Sequence, residues 1–297
     1  MTTVPDTAAR SRTVLVAVAA LVLGAVAMAI SPAFVRWAEV GPFTSAFYRV
    51  FLALPLLALW ASLERGGDTR PDPGWTRAIV LTGLFFAGDL FFWHLSVLKT
   101  TIANATLLAT MAPVWVMAFS SLFIGEPVTR PMLAGLALCV AGAGLLIGAS
   151  SLLDPSRFVG DLYGVGTSLF FGLYFLAMRV ARREARPGLV LYRSTIVTAA
   201  VLGLVAAVAE NAWLPAGLSG VVALLLMAWV SHVGGQGLLA YALGHLSAAF
   251  SSLVIFMEAL AAAVFGYLLF GETLGTWELL GGAGILVGIW VARPREG

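Results

Sequence analysis

Residues 121–129 read SLFIGEPVT and residues 267–275 read YLLFGETLG. Each closes an apolar run on glycine followed by glutamate. Sliding the second half of the chain back by 146 positions lays Gly271 and Glu272 on Gly125 and Glu126. The same shift pairs Phe119 with Phe265, Leu122 with Leu268, Gly135 with Gly281 and Gly142 with Gly288. A second anchor lies upstream, where Tyr48-Arg49 meets Tyr192-Arg193 at an offset of 144, so a two-residue gap separates the anchors. The chain reads as a duplication. In each copy the glycine is expected to end a helix and the glutamate to sit at the water boundary, where charge costs little.

What is duplicated is a membrane unit. The 297-residue chain is 60% hydrophobic and 11% charged, with mean hydropathy +0.97, whereas soluble domains are about a quarter charged. Its apolar runs are long enough to cross roughly 30 Å of hydrocarbon as helices of about 20 residues. Candidate spans are 13–31, 44–62, 76–98, 101–123, 131–149, 161–180, 187–209, 218–240, 246–270 and 276–292, with turn chemistry at most breaks. The expected fold class is an all-α integral membrane protein of about ten transmembrane helices. Its expected organisation is a tail at 1–12, a five-helix repeat at 13–149, a connection at 150–160, a second five-helix repeat at 161–292 and a tail at 293–297. Because five is odd, the second copy enters the membrane with opposite polarity. Such an inverted repeat holds a substrate site near the midplane and opens it to either side as one half rocks on the other.

Basic residues set the expected orientation. If the spans alternate, Arg10, Arg12, Arg65, Arg70, Arg77, Arg130, Arg179, Arg182, Arg183, Arg186, Arg293 and Arg295 share one face, and Arg36, Lys99 and Arg157 the other. Both termini are therefore expected in the cytoplasm, with the chain in a bacterial-type inner membrane. Reading 13–31 as a cleaved signal peptide behind Arg10 and Arg12 would leave nine spans and break the repeat.

The single cysteine, Cys139, excludes an internal disulfide and a thiolate metal cluster. The histidines are dispersed, no HExxH or P-loop occurs, and no hydrophilic loop is large enough for a catalytic domain, so no enzyme, cofactor or metal is expected. No nucleic-acid partner is expected. A channel would show a ring of repeated filter residues, and none is visible. The stripes Gly135/Gly142 and Gly281/Gly288 suit close helix packing within one chain or between two, which leaves the oligomeric state open.

The stretch LLATMAPVWVMAFSSLFIGEPVTRPMLAGLALCVAGAGLL (107–146) and its copy SSLVIFMEALAAAVFGYLLFGETLGTWELLGGAGILVGIW (251–290) resemble the two EamA-type repeats of the drug/metabolite transporter superfamily. The likeness covers nearly the whole chain. It implies a central cavity lined mainly by the first, third, fourth, sixth, eighth and ninth helices, and export of amino acids, including large apolar or aromatic ones, or alternatively of other metabolites or cationic drugs. One place departs from the family pattern: at the offset of 146, Pro113 of the fourth span falls on Ala259, which follows Glu258.

Ionisable groups in hydrocarbon cost about 2.5–3.5 kcal/mol each on insertion scales, so Arg49, Asp89, His94, Arg193, His232 and Glu258 each call for a partner, a wet cavity or a function. Helical spacing puts Asp89 and Trp93 on one face of the third span, and Trp229, His232 and Gln236 on one face of the eighth. The fourth presents Asn104, Leu108 and Met111, the sixth Tyr174, and the ninth Ser251, Ile255 and Glu258, while the first adds Met28 and Ser31. Together they offer amide, hydroxyl and imidazole groups for a polar head and aromatic or thioether surface for an apolar tail. A small-molecule substrate such as an amino acid suits that mixture. The plain alternative for the aromatics is packing and interfacial belts.

Glu258 and Asp89 are candidates for proton coupling, because a buried carboxylate can take a proton in one state and release it in the other. The plain alternative for Glu258 is a hydrogen bond to Ser251 or Ser252. Tyr48, Arg49, Tyr192 and Arg193 are expected at gates or snorkelling to the interface, as are His94 and His245 near span ends. A nucleotide-sugar or phosphate-ester exchanger, which requires a strongly basic cavity, is the alternative ranked below amino-acid export.

Overall fold

A computed structural model describes residues 7–67, 72–100, 102–147, 157–270 and 275–293. The second Gly-Glu phrase, Gly271-Glu272, lies outside the described residues, as do Thr101 and Pro155. Among the described residues the chain is helical, without strands: α1 (Thr7–Ala29), α2 (Ser31–Trp37), α3 (Pro42–Phe51), α4 (Leu54–Gly67), α5 (Arg77–Lys99), α6 (Ile102–Ala109), α7 (Ala112–Ile124), α8 (Arg130–Ile147), α9 (Phe158–Glu184), α10 (Pro187–Ala209), α11 (Leu218–Leu226), a π-helical segment (Met227–Gln236), α12 (Gly237–Ala242), α13 (Ala248–Val254), α14 (Phe256–Phe270) and α15 (Thr276–Ala292). Read through their breaks, these form 8 stretches long and apolar enough to cross a membrane. The remaining two apolar helices, α8 and α15, are shorter.

Local chemistry sets the breaks. Gly125 ends α7 at φ 68, a left-handed conformation that glycine enters without a Cβ penalty, and its N–H bonds back to Ser120 O. Between α6 and α7 the chain tightens at Met111, with N–H bonds from Met111 to Leu108 O (3.1 Å) and from Val114 to Met111 O (3.0 Å). Pro113, which has no N–H to continue the ladder, follows immediately.

The second half repeats this device: Ile255 N–H bonds Ser252 O (3.1 Å) and Glu258 N–H bonds Ile255 O (2.8 Å). The spacing between the two breaks is 255 − 111 = 144. The backbone therefore places Glu258 at the position of Val114, and Met257, not Ala259, at that of Pro113. The two-residue gap between the anchors lies C-terminal to the break, which corrects the pairing read from the sequence.

The halves meet along antiparallel seams. In the α8–α15 seam, a Cβ added to Gly142 would lie 2.6 Å from Gly281 O, and one added to Gly281 would lie 2.5 Å from Gly142 O. Gly135 and Gly288 face each other in the same way, at 2.5 and 2.7 Å. Only glycine lets the backbones approach so closely, so both glycine stripes are used within the chain.

The second seam joins α3 and α4 to α10, and its ends are clamped reciprocally. Helices α3 and α10 both begin with proline at their first position and lack a side-chain cap of their own, which leaves their next N–H groups without intrahelical partners. Glu210, at the end of α10, accepts Phe43 N–H (2.8 Å) and Thr44 N–H (2.9 Å) at the start of α3. Glu64, near the end of α4, accepts Gly188 N–H on both oxygens (3.1 and 3.0 Å) at the start of α10. Glu64 and Glu210 each stand at the end of the second span of their half, so carboxylates at corresponding helix ends perform equivalent tasks at opposite ends of the bundle.

Candidate functional site

A cavity of about 70 Å³ lies where α1, α2, α3, α5, α6, α9, the π-helical segment and α14 converge. One water occupies roughly 10–15 Å³ counted the same way, so the space suits a small ligand group. Of the residues singled out in the sequence, Met28, Ser31, Asp89, Trp93, Gln236, Ile255 and Glu258 line it. Arg49, also singled out there, completes the walls with Phe86, Phe171, Thr106, Thr110 and further apolar residues.

Two further candidates stand directly behind the wall. Tyr174 donates its hydroxyl to Gln236 Oε1 (2.8 Å), with its ring 4.9 Å from that of Phe86, and Gln236 Nε2 contacts Met28 Sδ at 3.2 Å. His232 shares a hydrogen bond of 2.9 Å between Nε2 and Thr195 Oγ1, and its ring lies 5.4 Å from Phe86. The π-helical winding explains why His232 and Gln236 are buried whereas Trp229, expected on the same face, is exposed. An i→i+5 ladder changes the angular spacing of side chains, and such segments recur at functional sites. Ser251 is fully buried in α13, and its hydroxyl has no hydrogen-bond partner among the described residues. Met111 marks the α6–α7 break and packs against the core.

The other candidates lie elsewhere. Asn104 Nδ2 donates to Asp161 Oδ1 (3.3 Å), as does Thr100 Oγ1 (2.7 Å), in a cluster at the Lys99 end of the bundle. Leu108 packs over Gly164. Tyr48 packs against Phe47, with ring centroids 5.4 Å apart, and Tyr192 against the core. His245 is exposed, whereas His94 is buried beneath Phe43 and Trp93, its Nδ1 2.6 Å from Leu90 O.

The two tyrosine-arginine pairs, equivalent in the repeat, have separate fates. Arg193 sits at the rim, bidentate on Asp72 (2.6 and 2.8 Å) and 5.7 Å from the Trp75 ring. Arg49 lies within the cavity wall, donating to Ser31 Oγ (3.2 Å) and standing 5.9 Å from the Phe86 ring. The hydrophobic pattern gave no warning of this placement, since both arginines sit equally far inside their spans.

Toward the end of the bundle where α7 gives way to α8, fully buried Phe175, Phe250 and Phe256 fill the interior. Beyond them Glu126 joins the two halves: it binds Arg179 Nε (2.6 Å), Arg183 Nη2 (3.1 Å) and Ala248 N–H (2.8 Å) at the start of α13. Partial burial alone would raise the Glu126 pKa, but the hydrogen bonds from Arg179, Ala248 and Arg183, with the Arg179 charge, hold it below the usual carboxylate value.

A largely apolar cavity with a few charged side chains, set between antiparallel copies of one unit, is the geometry of a solute carrier. Residues 15–148 and 158–293 each match the EamA-like transporter family. This chain belongs to that family. Among its relatives, an uncharacterised transporter of Archaeoglobus fulgidus is 29% identical over 92% of this chain and 95% of its own. The pseudopaline exporter CntI of Pseudomonas aeruginosa is 26% identical over 88% of this chain and 87% of its own. A solved crystal structure with 22% sequence identity shares the fold at a TM-score of 0.75, covering 95% of this chain and 98% of its own. The EamA-like assignment makes the chain a multi-pass membrane transporter built from two repeats.

Proposed function

We propose that this transporter exports amino acids, including large apolar or aromatic ones, and related small metabolites by alternating access. The observation that carries the reading is the cavity between the halves, where Arg49, Asp89, Glu258 and Gln236 share walls with Phe86, Trp93, Phe171 and Met28. Such a lining offers charge to an amino-carboxylate head and aromatic surface to a side chain. Likeness to a pseudopaline exporter supports outward transport of a small solute. In this reading α8 and α15 also span the bilayer, which makes ten crossings with repeats at 13–149 and 161–292, both termini in the cytoplasm and an inner-membrane location.

The Glu126 junction then closes the cytoplasmic side, and rocking of the halves exchanges it for closure at the Lys99 end. Glu258, with Asp89 beside it on the cavity wall, carries the coupling proton. The main test is counterflow of labelled amino acids into proteoliposomes preloaded with unlabelled ones. Saturable exchange, abolished by Gln236→Ala or His232→Ala, is expected; absence of exchange with every amino acid refutes the substrate assignment. With Glu258→Gln, exchange is expected to lose its response to a pH gradient, and an unchanged response removes Glu258 from coupling. Orientation has its own check, because Cys139 is buried and Lys99 and Glu184 are exposed. In whole cells an impermeant maleimide is expected to label Lys99→Cys and to spare Glu184→Cys.

A further inference from the structure

The charges lining the cavity are unequal in number: one guanidinium, Arg49, against two carboxylates, Asp89 and Glu258. None is fully engaged by the protein. Arg49 uses Nη1 on Ser31, and its Nε is buried with no hydrogen-bond partner among the described residues. Neither carboxylate has a hydrogen bond or an ion pair within 4.0 Å among those residues. Structural ion pairs in a membrane interior are closed on themselves. This cluster is open and aimed into a cavity with aromatic walls.

The ligand that satisfies it carries the complementary pattern. A carboxylate fits the planar fork of a guanidinium, and an ammonium fits a carboxylate, each contact being charge-assisted. Once Glu258 has released its proton, a neutral amino acid supplies one carboxylate and one ammonium, which leaves one wall carboxylate unmatched. An amino acid with a second cationic group matches all three charges, and Phe86, Phe171 and Trp93 add aromatic faces that attract cations.

Resting on the amino-acid reading above, we propose that the cavity is selective for amino acids bearing a second cationic group, with the α-carboxylate on Arg49 and the two ammonium groups on Asp89 and Glu258.

The test uses the full chain in proteoliposomes and compares counterflow of labelled lysine and ornithine with that of leucine, phenylalanine and glutamate. Lysine or ornithine is expected to exceed leucine in kcat/KM by about tenfold or more, the scale of one charge-assisted contact, with glutamate poorest. Glu258→Gln and Asp89→Asn, checked for folding by size exclusion, are each expected to shrink the lysine-to-leucine ratio by about tenfold. Leucine or phenylalanine exchanging as well as lysine in the unaltered protein overturns the charge-matching inference and leaves amino-acid transport standing. A lysine preference unmoved in both folded variants overturns the assignment of these carboxylates. No counterflow with any amino acid overturns the underlying reading and this inference with it.

Discussion

Replacing Glu210 by alanine frees the N–H groups of Phe43 and Thr44, held at 2.8 and 2.9 Å, at the start of a helix with no cap of its own. Hydrogen bonds to a charged acceptor contribute about 1.5–3 kcal/mol each when buried, while losing a helix N-cap costs about 0.5–2 kcal/mol. Glu210 is half-buried and the freed amides sit near the bundle end, where water can reach them, so the lower ranges apply. The expected loss is about 2 kcal/mol. Glu210→Gln keeps an acceptor without the charge, and about half that loss is expected.

Glu64→Ala exposes the same kind of defect at the start of α10. The two clamps stand roughly 35 Å apart along α10, so the double variant is expected to lose the sum of the two single losses. The assay is equilibrium unfolding in mixed micelles, followed by the fluorescence of the nine tryptophans. If both single variants remain within about 0.5 kcal/mol of the parent, the size of ordinary surface substitutions, the clamps do not hold the seam and the reasoning fails.

At the glycine seam, Gly142→Ala drives a Cβ to within 2.6 Å of Gly281 O and 2.8 Å of Ile285 N, with an expected loss of about 1–3 kcal/mol. Gly144→Ala on the same helix meets nothing within 4 Å and is expected to be neutral or stabilising in the same unfolding assay. The depressed pKa of Glu126 means that its contribution is present above the usual carboxylate value of 4.5 and is lost as pH falls through the lower folded-state value. The stability advantage of the parent over Glu126→Gln is therefore expected to shrink in melting curves taken downward from about pH 6 through the acid range below 4.5. Asp72→Asn breaks the exposed pair with Arg193, and a change below about 1 kcal/mol is expected.

The fold was legible in the sequence to the extent that its determinants were periodic or repeated. Apolar length marked the helices, and the shared Gly-Glu phrase with the downstream glycines marked the duplication. What those marks left open was how the copies touch. Gly135 and Gly142 read equally well as a contact within the chain or between chains. Their pairing with Gly288 and Gly281 decides between the two only when both backbones are in place. The Glu64–Glu210 relation was recoverable from sequence, since each glutamate ends the second span of its half and each partner helix opens on a proline. A carboxylate at a water boundary has an inexpensive solvated explanation, however, and only the hydrogen bonds across the seam distinguish a clamp from a solvated end.

The cavity was less legible, because equivalence in the repeat does not imply equivalence in role. Arg49 and Arg193 share a motif, yet the halves meet different surroundings: the loop residues Asp72 and Trp75 take Arg193 at the rim, while Arg49 is left to Ser31 and Phe86 inside. The same asymmetry appears at the breaks, where identical i→i+3 bonds place Val114 in one copy and Glu258 in the other. A duplication supplies two similar scaffolds facing one space, and the side chains that differ between them carry the charge of that space. In such a chain the residues that break the repeat, more than those that keep it, are where substrate preference is to be sought.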